Sequence, residues 1–129
     1  MAEKEVISTD QAPGPFQGAP YNQAIRVGDL VFVAGQLGIE LESGELAGPS
    51  VEAQTEQIMR NLAAILEAAG SSLDRLVKTT VFLLDLGDFG GMNEVYARHV
   101  GDRPPARSTI GISQLPSGAR VEIEAIAHT

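Results

Sequence analysis

Two tetrapeptides restrict the fold more than anything else in this chain: Leu30-Val31-Phe32-Val33 and Val81-Phe82-Leu83-Leu84 are apolar at odd and even positions alike. Side chains of a strand alternate between faces, so such runs suit a sheet covered on both sides. The sequence supplies two helical segments, enough to back one face. The economical cover for the second is another copy of the chain, and packing alone therefore predicts a homo-oligomer.

The other elements follow from pattern. Lys4 to Thr9 predicts a strand, Ala12 to Pro20 a Gly/Pro loop, and Tyr21 to Arg26 with Leu30 to Gly35 a hairpin joined through Val27-Gly28-Asp29. A polar surface loop, Gly38 to Gly48, leads to Ser50, a natural N-cap for Val51 to Ala69. There Ile58, Leu62, Ile65 and Ala69 recur at helical spacing and Gly70 supplies a stop. Leu76 to Leu84, rich in β-branched residues, predicts a central strand, and Asp88 is placed to cap a second helix reaching about His99, weakened in its first turn by Gly90 and Gly91. Arg107 to Ser113 and Arg120 to Ala127, linked by Leu115-Pro116-Ser117-Gly118, complete the order βββαβαββ. The expectation is an α+β fold in a single domain over residues 1–129.

Composition narrows the chemistry. Nine Lys and Arg against seventeen Asp and Glu give a net charge of −8, which speaks against a nucleic-acid partner. The absence of cysteine rules out disulfides, thiolate nucleophiles and iron–sulfur sites. His99 and His128 stand in no metal-ligand spacing, and the glycines form no phosphate-cradling loop, so neither metal nor nucleotide cofactor is expected. No stretch approaches the ~20 apolar residues of a membrane span, and the N-terminus has no apolar leader core, so a cytoplasmic protein without membrane contact is expected.

Four stretches in this order resemble the Rid family of reactive-intermediate deaminases, also called YjgF-type or L-PSP proteins: Ala19-Pro20-Tyr21-Asn22-Gln23-Ala24, Val31-Phe32-Val33-Ala34-Gly35-Gln36, Val77-Lys78-Thr79-Thr80-Val81-Phe82, and Pro105-Ala106-Arg107-Ser108-Thr109 with Val121-Glu122-Ile123-Glu124-Ala125. The resemblance spans about Val6 to Ala127. It implies a chorismate-mutase-like fold, a mixed six-stranded sheet backed by two helices on one face, and a homotrimer with ligand clefts between neighbouring subunits. It also implies hydrolysis of 2-imino acids such as 2-iminobutanoate and 2-iminopropanoate, products of pyridoxal-phosphate enzymes, to 2-oxo acids and ammonia without cofactor or metal.

The family's site residues fall on seven positions. Arg107 matches the ligand arginine, whose planar guanidinium suits two-point capture of a carboxylate. Glu122 matches the acidic residue that would hold or deprotonate water near C2 and help ammonia leave. Periodicity does not separate it from Glu124, since both alternate with apolar neighbours; only the motif does. A nearby Arg107 would lower the Glu122 pKa and burial in a cleft would raise it. Gly35 permits close backbone approach to a ligand, and Tyr21 is placed to close the cleft, although Phe16 after Gly14-Pro15 mimics the same pattern. Asn93 matches a helix position near the cleft, and Thr109 shares strand parity with Arg107. Ala34 departs from the family, where many members carry Ser, and removes a hydroxyl donor. Two other readings remain: a non-catalytic protein that binds 2-oxo acids as a signal, and RNA cleavage, which the net charge disfavours.

Overall fold

The computed structural model describes residues 3–129. In chain order the elements are β1 (Glu5–Ile7), β2 (Ala24–Val27), β3 (Leu30–Leu37), α1 (Val51–Ala68), β4 (Leu76–Leu83), α2 (Phe89–Val100), β5 (Ala106–Gly111) and β6 (Val121–His128). They build one six-stranded mixed sheet ordered β1-β2-β3-β6-β4-β5, with β4 and β5 parallel and the other pairs antiparallel. This is the α+β arrangement expected from the order of elements.

Several boundaries move. The first strand shrinks from Lys4–Thr9 to three residues, and β1 stops at Ile7, opposite Ala24. Without a partner there, Tyr21 lies outside β2, in the segment leading into it. The strand at Arg107 to Ser113 ends at Gly111. β4 is interior but one place from the edge: the last strand, β6, inserts between β3 and β4 and takes the central position expected of β4.

The core lies between the sheet and the helices. α1 packs on β3 and β6 and beside α2, burying Ile58, Leu62 and Ile65 against Val31, Val81 and Ile123. The Ser50 hydroxyl accepts the Ala53 N–H at 3.1 Å, satisfying one of the unpaired first-turn donors, and Gly70 at φ +81 ends the helix run. Asp88 occupies the N-cap position of α2 but makes no cap bond; its carboxylate instead accepts Arg120 Nε at 2.9 Å. Gly91 has a packing role: a Cβ there would stand 3.0 Å from Val51 Cγ1, so glycine lets the two helix starts touch.

Three polar residues of α1 are buried where pattern alone would put apolar ones. Gln54 donates to the Gly48 carbonyl and accepts the Arg120 N–H, while Asn61 donates to the Leu37 and Ile39 carbonyls. They tie two loops to the helix, which answers the hydrogen-bond needs of backbone that no strand covers. Thr55, the third, is also fully buried.

Among the described residues no helix lies over the sheet's other face. Leu30 and Phe32 are each 42 % exposed and Ile110 is 45 % exposed, with Phe82 and Ile126 partly buried among them. Both runs that are apolar on two faces thus present one side to the core and one to the outside of the chain.

Candidate active site

One cluster forms where β3 breaks its register. Val33 pairs with Ala125 but Gln36 with Ile123, so Ala34 and Gly35 together occupy the space opposite Glu124, as in a β-bulge. The bulge brings the Gly35 backbone under the side chain of Glu122. A Cβ at position 35 would collide with Glu122 Oε2 and lie 2.9 Å from its carboxyl carbon, so any other residue there would displace the acid. Glu122 is half-buried, and burial pushes its carboxyl above the usual carboxylate range, with the charge of Glu124 adding to the shift.

Glu122 lines a pocket of about 350 Å³ whose walls include Pro13, Phe16, Tyr21, Ile39 and Pro116. Among the described residues it is the one charged group on that wall. Buried Gln23 holds the rim: its amide accepts the Thr9 N–H at 2.7 Å and donates to the carbonyls of Thr9, Ala12 and Pro13. Two residues away, the Tyr21 hydroxyl accepts the Phe16 N–H, which leaves its own proton free for another acceptor. Phe16 and Tyr21, rivals for one motif position in the sequence, therefore share one pocket. Tight turns at Phe16–Ala19 and Pro116–Ala119 complete the rim. Each closes with an i to i+3 hydrogen bond and has positive φ at both central positions, the type I′ pattern, with non-glycine Gln17 and Ser117 in the first.

A second cluster lies at the β5 edge. Arg107 pairs with Thr79 of β4 and shares its face, towards the helices; Thr109 follows on the same side. The Arg107 guanidinium carbon stands 4.9 Å from the ring centre of Tyr96 and 5.5 Å from that of Phe89, both on α2. Asn93 lies between them on the same helix face, and its Oδ1 is buried with no hydrogen-bond partner among the described residues. Burial raises the Tyr96 pKa, partly opposed by its Thr79 hydrogen bond and the Arg107 charge.

The seven expected positions therefore fall into two groups. Tyr21, Ala34, Gly35 and Glu122 share the pocket, whereas Arg107, Asn93 and Thr109 belong to the edge cluster. Glu122 pairs with Phe82 and faces the uncovered side, while Arg107 faces the helices, with β4 between their strands. Within one chain they do not meet, and the lowering of the Glu122 pKa expected from a nearby Arg107 has no source there. Gln23, Phe89 and Tyr96 were not among the expected site residues. Gln23 stands in the Ala19-Pro20-Tyr21-Asn22-Gln23-Ala24 motif, a glutamine next to a core strand; the two aromatics are too far from Arg107 in sequence to signal contact.

A sheet of this strand order backed by two helices defines the RidA/YjgF class of fold. RidA from the Antarctic bacterium Psychrobacter superposes with a TM-score of 0.92 at 42% identity, covering 97% of this chain and 99% of that one. The family model described as Endoribonuclease L-PSP matches residues 9–129. A RutC family protein of Pyrococcus abyssi is 49% identical over 125 residues, 97% of each chain. The mouse protein named 2-iminobutanoate/2-iminopropanoate deaminase is 43% identical over 124 residues, 96% of this chain and 90% of its own. The chain belongs to this L-PSP family, whose RidA members are named as deaminases.

Proposed function

We propose that this protein hydrolyses 2-imino acids to 2-oxo acids and ammonia, in clefts that Glu122 of one copy and Arg107 of a neighbour complete together in a homotrimer. One observation carries the reading: among the described residues the Glu122 pocket has no cation on its wall, while Arg107 points to the opposite face of the same sheet. Each group is half of a site for an anionic imine, and the uncovered apolar face gives copies a reason to associate. The names of the mouse and human relatives support the substrate class.

In this mechanism Arg107 grips the substrate carboxylate and fixes C2 over Glu122. Glu122 takes a proton from water as its oxygen adds to C2. The nitrogen is then protonated, the C–N bond breaks, and ammonia leaves as the carbonyl forms. Imines also hydrolyse unaided, so positioning and one acid–base group suffice. No metal or cofactor enters the steps. RNA cleavage fits less well, because a pocket whose one charge is negative repels phosphate.

The test couples the protein to a pyridoxal-phosphate dehydratase and follows 2-oxobutanoate formation. Arg107→Ala and Glu122→Ala should each abolish most activity. Coexpressed in equal amounts, they should recover about a quarter of the parental rate: mixed trimers carry one intact cleft of three. No recovery from mixed oligomers would refute the shared cleft, and an inactive parent would favour a protein that only binds 2-oxo acids.

A further inference from the structure

An arginine that must clamp a ligand carboxylate faces a conflict. Its long side chain needs holding, because a mobile side chain loses rotamer freedom when it binds, yet the usual holder, an acid, would discharge it. Arg107 belongs to none of the four ion pairs among the described residues. Its neighbours are instead the ring faces of Tyr96 and Phe89. An aromatic face attracts a guanidinium through its quadrupole and restricts it, but leaves the positive charge unneutralised.

The Tyr96 ring is itself fixed. The residue is 4% exposed, and its hydroxyl lies 2.6 Å from Oγ1 of Thr79, which is fully buried and is the β4 partner of Arg107. A closed circuit results: Arg107 registers on Thr79 through the sheet, Thr79 bonds to Tyr96, and the Tyr96 ring returns to the Arg107 guanidinium. We infer that Tyr96, anchored by Thr79, and Phe89 are positioning residues that form an aromatic seat for Arg107, holding it charged and oriented for the ligand carboxylate. The inference rests on the proposed role of Arg107 and adds the residues through which it acts. Since the seat strengthens carboxylate binding before and during the reaction alike, its loss raises KM and leaves kcat nearly unchanged.

The experiment measures the dissociation constant of 2-oxobutanoate, together with kcat and KM for the imine, in Tyr96→Leu, Tyr96→Phe, Phe89→Leu and Arg107→Lys, each first checked for parental mass and cooperative melting. Tyr96→Leu should weaken binding and raise KM roughly 5- to 30-fold, and Phe89→Leu about 2- to 5-fold. Tyr96→Phe, which keeps the ring in a packed site, should recover most of the loss seen in Tyr96→Leu. Parental affinity in folded Tyr96→Leu and Phe89→Leu beside a defective Arg107→Lys would overturn the seat alone. Parental affinity in Arg107→Lys would instead overturn the site reading beneath it. A fall in kcat at constant KM would also defeat the seat. Should Tyr96→Leu fail to fold, Phe89→Leu decides, because Phe89 is 44% exposed and its replacement leaves the core intact.

Discussion

The two clusters are built from different materials. Around Glu122 the backbone does most of the shaping: a bulge, a glycine with no room for a Cβ, two type I′ turns and an amide that clasps main-chain groups. Around Arg107 the sheet and helix are regular and the shaping is left to side chains, two rings and a hydroxyl pair. A site made of backbone has few tolerated substitutions, since a single methyl group can block it. One made of rings should degrade by degrees.

Gly35→Ala tests that contrast most severely. The new methyl should expel the Glu122 carboxylate and lower kcat/KM by about 10²- to 10⁴-fold, the usual worth of a general acid–base group, while 2-oxobutanoate still senses Arg107. Steady-state kinetics within about threefold of the parent would erase the distinction. Gln23→Leu comes next. It strands four backbone groups of the Thr9–Pro13 segment and should cost about 1–3 kcal/mol in chemical denaturation, with lost activity following the loosened rim.

The pH dependence sharpens the same comparison. Burial raises the Glu122 pKa, so the ionised form is disfavoured in the folded chain; the cost sets in above the ordinary carboxylate pKa and is complete above the raised one. Glu122→Gln should therefore be more stable than the parent near neutral pH, with the difference shrinking as pH falls through the raised pKa and gone below the ordinary carboxylate range, followed by thermal melts across pH. Parental activity should fall through the same titration as acid is added. If a bound carboxylate offsets Arg107, the acid limb should lie higher in kcat than in kcat/KM. The smallest effect belongs to Ala34→Ser, which adds a hydroxyl at the pocket wall. One extra hydrogen bond should change kcat/KM by about 2- to 10-fold, read on 2-iminobutanoate, without altering the melting temperature.

Legibility in the sequence divides along the same line. α1 is readable because Ile58, Leu62 and Ile65 repeat at its period, whereas Arg107 and Glu122 are singled out only by their resemblance to the family's motifs. The bulge is not readable: strict alternation along β3 fails between Val33 and Gln36, and no local pattern announces an extra residue. Glu122 and Glu124 look alike in sequence and are separated only by which one overlies Gly35. Asp88 is a favoured residue type for a helix cap, yet a stronger, charged partner arrives from thirty-two positions away, in Arg120. The aromatic seat was hidden for a related reason, since Tyr96 reads simply as the apolar side of α2. Contacts between distant elements are decided by topology, and the insertion of β6 between β3 and β4 is invisible until the sheet is assembled.

The uncovered sheet face also governs the biography of a newly made chain. A solitary copy displays Phe32, Leu30 and Ile110 to water beside the open rim of β5, the combination that draws chaperones and seeds aggregates. If copies cover this face in one another, as proposed, productive encounters and ruinous ones both accelerate with crowding of nascent chains.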